Sequence, residues 1–230
     1  MQRRTGLLRR IATIGLQIAL PLVLLLSPLY LLVSPAFVRH EYRLSHIPAS
    51  SRFDVAERLA ISDVLIGYLR GWNSIEDMTS LTTAAGEPAL TQREINHMVD
   101  VNRVLGWFLA AQRLALGFSV LAGVWLLYDG GVVQLGRQLR LAVVTAAAII
   151  GVLVVASLVD FDFFFTVFHQ VLFEAGTWTF WETDTLIQLY PLLFWADAVW
   201  KLGAVILVGL GLTYAVGTIL SKPGRGSSKG

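Results

Sequence analysis

Apolar residues in this chain come in long blocks, without the alternation of a half-buried strand or the spaced stripe of a soluble helix. No charge occurs from Ile11 to Val38, and Ile11–Val33 is an apolar run of 23 residues. A hydrocarbon core needs about 20 helical residues to cross, so this run predicts a first span. Further runs of similar length lie at Val104–Leu127, interrupted by Arg113, and at Leu141–Val159 and Leu202–Leu220. Backbone in lipid must satisfy its own hydrogen bonds, and none of these runs shows the ten-residue alternation of a barrel strand. The predicted fold class is therefore an all-α integral membrane protein with four transmembrane helices, at about 11–33, 104–127, 141–159 and 202–220, in a single membrane domain of residues 1–230.

The remaining sequence forms two longer segments, 35–103 and 160–197, and a tail, 221–230, read as flexible and partly disordered. From Ser51 to Arg70, Val55, Leu59, Ile66 and Leu69 share one helical face, with Arg52, Arg58 and Asp63 largely off it. This predicts an interfacial or bundle-covering helix that Gly71 ends. Thr91-Gln-Arg-Glu94 has the spacing of a capping box, so a helix starting there is expected to run into span two. The apolar stretch after Asp160 is too short to cross a bilayer. With Trp178, Trp181, Tyr190 and Trp195 following, it reads as an interfacial aromatic belt.

Composition narrows the chemistry. Hydrophobic side chains make up 55% of the chain and charged ones 15%, against roughly 25% charged in soluble domains, which excludes a soluble globule. Eighteen basic residues against sixteen acids leave +2, too little to argue for nucleic-acid binding. There is no Cys, so thiolate nucleophiles, disulfide scaffolds and zinc ribbons are excluded, and any catalysis falls to His, carboxylates or hydroxyls. No P-loop, G-x-S-x-G or H-E-x-x-H motif occurs, and nothing in the spacing demands a metal, nucleotide or other cofactor. Four helices without an internal repeat fit a transporter poorly.

The placement of charge predicts sidedness. Arg3, Arg4, Arg9 and Arg10 precede span one, Arg137 and Arg140 lie in the link between spans two and three, and Lys222, Arg225 and Lys229 follow span four. Asp160–Asp197 has six acids and no Lys or Arg. By the positive-inside rule both termini face the cytoplasm and the two longer segments face outward. A cleaved signal peptide is the rival for the N-terminus, but its apolar core should be only about 7–15 residues.

All four histidines, His40, His46, His97 and His169, fall outside the predicted spans. His97 has Glu94 and Asp100 one helical turn away on either side, and His169 is embedded in the aromatic belt. Each has a plain alternative, a solvated surface His and a packed core His respectively. A neutral imidazole is suited to moving a proton near pH 7, so the pair are candidate acids, bases or nucleophiles. Arg113 lies inside span two, where an arginine costs about 2.5 kcal/mol or more. It marks a site or a partner, or it snorkels to the headgroups.

Arg93-Glu-Ile-Asn-His97-Met-Val-Asp100-Val, then Phe168-His169-Gln-Val-Leu-Phe173, then Trp178 and Asp184-Thr-Leu-Ile-Gln-Leu-Tyr-Pro191 together resemble the bacterial lipoprotein intramolecular transacylases. The likeness extends to His40-Glu-Tyr-Arg43 and Ile66-Gly-Tyr-Leu69, and so covers most of Val38–Asp197. The resemblance implies an acyltransferase of the bacterial plasma membrane with its site on the outer face. It would move an acyl chain from the sn-2 ester of a diacylglyceryl lipoprotein to the α-amine of its N-terminal cysteine. By position it implies catalytic roles for His97 and His169; Asp100, Arg113, Trp178 and Asp184 are expected to support the site or bind substrate. The expected partners are diacylglyceryl-modified lipoproteins and membrane lipids, with no nucleic acid and no nucleotide. Acid–base transfer and a covalent acyl-imidazole both fit. Two alternatives to transfer are a His-based deacylase and a non-catalytic membrane adaptor or sensor.

Overall fold

A computed structural model describes residues 2–222; the expectation for the tail beyond Lys222 lies outside the described residues. The described residues form helices α1 (Gln2–Leu26), α2 (Leu29–Leu32), α3 (Pro35–Glu41), α4 (Val55–Arg70), α5 (Ile75–Thr79), α6 (Gln92–Val159), α7 (Phe161–Leu172), α8 (Thr185–Leu189) and α9 (Leu192–Ser221). Among them there is no strand beyond one isolated bridge, between Thr82 and Pro88. Three stretches are long and apolar enough to cross a membrane: Gly6–Leu32, α6 and α9.

Of these, α6 has 68 residues, which would be about 100 Å if straight. It is broken at Gly131, whose φ of 71° and ψ of 178° suit glycine alone. A methyl group placed on Gly123 would lie 3.9 Å from the Leu135 side chain, although twelve residues of straight helix would separate them by about 18 Å. The chain therefore doubles back at Gly131. The predicted runs 104–127 and 141–159 lie on its two arms, and Arg137 and Arg140, expected in a linking loop, are helical.

The chain divides into two compact units. The first is built from the described parts of Met1–Pro28, Leu109–Leu153 and Gly203–Gly230. Its core gathers Ala12, Leu16, Ala122 and Leu126, with Leu20, Trp125 and Leu135 packed against them. Polar links among the described residues include the Gln17 amide, which donates to the Gln138 carbonyl (3.0 Å) and side-chain oxygen (2.8 Å), Gln112, which donates to Ser27 (3.1 Å), and the Arg9–Asp129 ion pair (3.5 Å). Backbone closeness does the rest. A Cβ on Gly136 would sit 2.6 Å from the Gly217 carbonyl oxygen. Of the four glycines that make α9 a candidate for close helix packing, Gly217 and Gly209 meet neighbours; Gly203 and Gly211 have nothing within 4 Å.

The second unit comprises Leu29–Phe108 and Val154–Leu202. Three of its helices start on side-chain caps, Ser34 for α3, Asp54 for α4 and Ser74 for α5, and Gly71 closes α4 at a φ of 73°, as its position predicts. The buried face of α4 differs from the predicted one. Arg58, Ile61, Ser62, Leu65 and Ile66 are buried while Val55 is exposed, so the helix is turned toward Arg58. The reason is a set of acceptors that apolar periodicity cannot reveal. Arg58 donates to the carbonyls of Pro48 and Leu189 (both 3.1 Å) and lies 4.0 Å above the Tyr42 ring, whose hydroxyl also donates to Leu189 (2.9 Å). Lys201, near the start of α9, joins Glu41 (2.5 Å), which is fully buried, to Asp197 (2.7 Å).

Candidate functional site

His97 and His169 come from separate helices, each fixed by its own first turn. At the start of α6 the Thr91 hydroxyl accepts from the Glu94 N–H, while the Glu94 carboxylate accepts from the Thr91 N–H (2.8 Å), the predicted reciprocal cap. The other oxygen of Glu94 accepts from the Leu186 N–H at the start of α8 (2.8 Å). Glu94 is thus buried with both oxygens used, one turn before His97. At the start of α7, Asp160 accepts from the Phe163 N–H (3.0 Å), and His169 follows two turns later, one turn beyond Phe165.

The two imidazoles stack with centroids 6.1 Å apart and planes inclined by 26°. Both are buried, 8% exposed for His97 and 9% for His169. Phe173 and Phe180 stand edge-on to His97 at 5.0 and 5.3 Å. Phe165 lies 4.0 Å and Trp178 5.1 Å from the His169 ring. Together they line a cavity of about 340 Å³ whose other walls are Leu, Ile, Val, Met and aromatic side chains.

His169 Nδ1 lies 2.8 Å from the Phe165 carbonyl oxygen. A carbonyl can only accept, so Nδ1 carries the hydrogen and donates, and in the neutral ring the Nε2 lone pair is available to take a proton. Burial pushes the His169 pKa below the ordinary histidine value, opposed by that hydrogen bond. Among the described residues His97 Nδ1 is buried with no hydrogen-bond partner, so none of them fixes its tautomer at that nitrogen.

The other sequence candidates fall in different places. Trp178 is in the cavity wall. Asp100 accepts from Arg103 (2.8 Å), one turn along, and makes no hydrogen bond to His97. Asp184 accepts from the Trp181 N–H (2.7 Å) and pairs with Arg93 (3.1 Å), clasping the segment that follows α7. Arg113 is exposed, belongs to the first unit and is not part of the cavity wall. His40 and His46 are exposed and line no part of the cavity. Among the described residues no group of three or more His, Asp or Glu is disposed to hold a metal ion.

Sequence reasoning missed Phe165, Phe173 and Phe180. None was singled out for a role, although the four-residue interval from Phe165 to His169 is the helical spacing that brings the Phe165 carbonyl to the ring.

The family model described as "Lipoprotein intramolecular transacylase Lit" matches residues 14–195. A protein of Aquifex aeolicus, described as uncharacterized, is 27% identical over 191 residues, covering 83% of this chain and 85% of its own. The in meso structure of the membrane integral lipoprotein intramolecular transacylase Lit from Bacillus cereus is similar with a TM-score of 0.79 at 20% identity, covering 94% of this chain and 96% of that one. A form of the same protein carrying a histidine-to-arginine mutation gives 0.75 at 19%, covering 95% and 94%. At these identities the likeness to the solved structures is one of fold.

Proposed function

Because this chain belongs to the lipoprotein intramolecular transacylase family Lit, we propose that it is an acyltransferase in which His97 and His169 catalyse the transfer of an acyl chain within one substrate molecule. The chain leaves the sn-2 ester of a diacylglyceryl lipoprotein and joins the α-amine of that lipoprotein's N-terminal cysteine. The observation that carries this reading is the stacked pair of buried imidazoles, 6.1 Å apart in an apolar cavity. Donor and acceptor belong to one molecule, so no nucleotide or cofactor is required. The task is to hold a flexible headgroup in a near-attack geometry, which can contribute about 7–11 kcal/mol.

The hydrogen bond to Phe165 supports His169 Nε2 as the base. As the amine attacks the ester carbonyl, a C–N bond forms and Nε2 removes the amine proton. When the tetrahedral intermediate collapses, the C–O bond to glycerol breaks and the departing oxygen takes a proton delivered through the imidazole pair. One proton is removed and one returned, so the enzyme ends unchanged. Apolar walls leave the tethered amine as the favoured acceptor over water. Trp178 shapes the ring environment of His169, and the Asp184–Arg93 clasp fixes the loop that carries Trp178.

The same reading has four crossings, with the two arms of α6 as separate spans, in one membrane domain of residues 1–230. Both termini are cytoplasmic and the histidines open to the outer face of a bacterial plasma membrane. Its support is the charge asymmetry of the sequence: basic clusters at three segment ends, and an acidic Asp160–Asp197 segment without Lys or Arg. The substrates are diacylglyceryl-modified lipoproteins met from the lipid phase.

The test is expression in a bacterium lacking such an activity, with mass spectrometry of lipoprotein N-termini. Transfer conserves two acyl chains and blocks the α-amine; hydrolysis leaves one chain and a free amine. Each of His97→Ala and His169→Ala should lower conversion by about 10²–10⁴-fold with the protein still inserted and folded. Full conversion in both variants overturns the catalytic reading, and single-chain products with a free amine would make the protein a deacylase.

A further inference from the structure

A second cavity, of about 580 Å³, lies in the same unit and shares part of its wall with the histidine cavity, including Phe165, Trp178 and Phe180. Its character is different. Asp162, Thr166, Glu182 and Gln188 contribute to its lining, and no Lys or Arg does. Both acids are exposed, and among the described residues neither is in an ion pair, whereas Asp184 and Asp197 are. Two cations beside residues of this segment are otherwise engaged: Arg93, over the Phe180 ring, is paired with Asp184, and Arg52 is anchored on the Thr183 carbonyl outside the lining.

Taken with the reading above, on which this inference rests, the two cavities fit the two halves of one substrate. The ester and its acyl chain need the apolar cavity. The cysteine that carries them is the first residue of a peptide, and that peptide must leave the reacting atoms through polar surroundings. We propose that the second cavity receives the first residues of the lipoprotein peptide after its cysteine, with Asp162 and Glu182 selecting cationic or neutral residues over acidic ones. The same two carboxylates attract the substrate's α-ammonium, which with an ordinary pKa near 8 arrives protonated. They act in a wet setting, so selection is a matter of a few-fold per charge pair and depends on salt.

The experiment uses the full-length protein in neutral detergent and three synthetic substrates, dipalmitoylglyceryl-cysteine followed by Ser-Lys-Lys, Ser-Gln-Gln or Ser-Glu-Glu. The readout is the ratio of kcat/KM for the lysyl and glutamyl peptides within each enzyme, which does not depend on how much of each preparation is folded. The wild-type ratio should be about tenfold at low salt and approach one at 0.5 M salt, a screening length of a few ångströms. D162N/E182Q should bring it to within about twofold of one, and D162K/E182K should reverse it. A wild type without preference, or an unchanged ratio in both double variants, overturns the peptide assignment while leaving the transacylase reading standing. If the wild type transfers the acyl chain on none of the three peptides, both readings fall.

Discussion

The two compact units hold themselves together by different means. In the first, helices meet through small residues and apolar contacts, Gly15 against the Phe118 ring and Gly136 against the Gly217 carbonyl among them. In the second, buried polar groups do much of the tying: Glu94 across the starts of α6 and α8, Arg58 across the carbonyls of Pro48 and Leu189, and Glu41 on Lys201. Packing between apolar helices tolerates small slips. A buried carboxylate with each oxygen committed does not, because an unmatched partner costs about 1–3 kcal/mol. The unit that holds the two imidazoles is thus the one whose geometry is fixed by directional bonds.

Removing such a bond should have the largest effect. Glu94→Ala deletes a reciprocal cap and leaves the Leu186 N–H without its acceptor, one turn from His97. We expect a loss of about 2–5 kcal/mol, from the cap and the stranded donor together, with acyl transfer falling further than the folded fraction. Thermal unfolding in detergent and conversion per folded molecule measure the two separately. Glu94→Gln, which keeps one acceptor oxygen but puts an NH2 donor in place of the other, should fall between. If Glu94→Ala matches wild type in both, directional bonding is not what holds this unit.

The matching change in the first unit should cost less and cost only stability. Gly136→Leu puts a side chain where the Gly217 backbone stands, an overpacking worth about 1–3 kcal/mol. Because this residue and the histidine cavity lie in different units, transfer per folded molecule should stay within about twofold of wild type. A fall in turnover larger than the fall in folded fraction would show that the chemistry senses the first unit's packing.

What the sequence made legible follows the same division. The apolar blocks announced the helices of the first unit, and cap and turn chemistry located the C-terminal end of α4 and the start of α6. Periodicity went wrong where the partner of a side chain is a carbonyl remote in sequence. Arg58 was placed off the buried face because nothing nearby says that Pro48 and Leu189 leave acceptors for it. The two histidine motifs were legible as motifs. That Phe165, four residues earlier, fixes the tautomer of His169 required knowing that 160–173 begins a helix at Asp160. The pairing of Asp100 with Arg103 lay in the sequence at i,i+3 spacing, but acids flanking His97 drew attention away from it.

A milder probe of the contrast is pH. The His169 pKa is lowered in the fold by burial, so the ring stays neutral there below the ordinary value of about 6.5, while the unfolded chain takes up the proton. The stability it contributes is therefore complete above about pH 6.5 and declines as pH drops from there toward the folded-state pKa. Transfer at saturating substrate should keep more than half of its base-dependent rate at pH 6.5 and should rise toward pH 8 as the substrate amine deprotonates. A half-maximal loss of activity centred at 6.5, abolished in no variant except His169→Ala, would mean that the ring titrates as it does in water.

The smallest effect is expected at the two exposed histidines, and it gives the sharpest control. His40 directly precedes Glu41 in α3, and His46 lies 3.5 Å from Asp197, so both neighbour the Glu41–Lys201–Asp197 cluster without lining the histidine cavity. Asp197 already has Lys201 at 2.7 Å, so losing the longer, exposed contact to His46 removes little of what holds it. His40→Ala and His46→Ala should each stay within about 0.5 kcal/mol of wild type in stability and within about twofold in conversion. Both are measurable in the same expression and mass-spectrometry assay as the cavity variants. Loss of conversion at either, with folding intact, would mean that imidazole chemistry in this protein is spread beyond the aromatic cavity, and the assignment of roles to His97 and His169 would have to be redrawn.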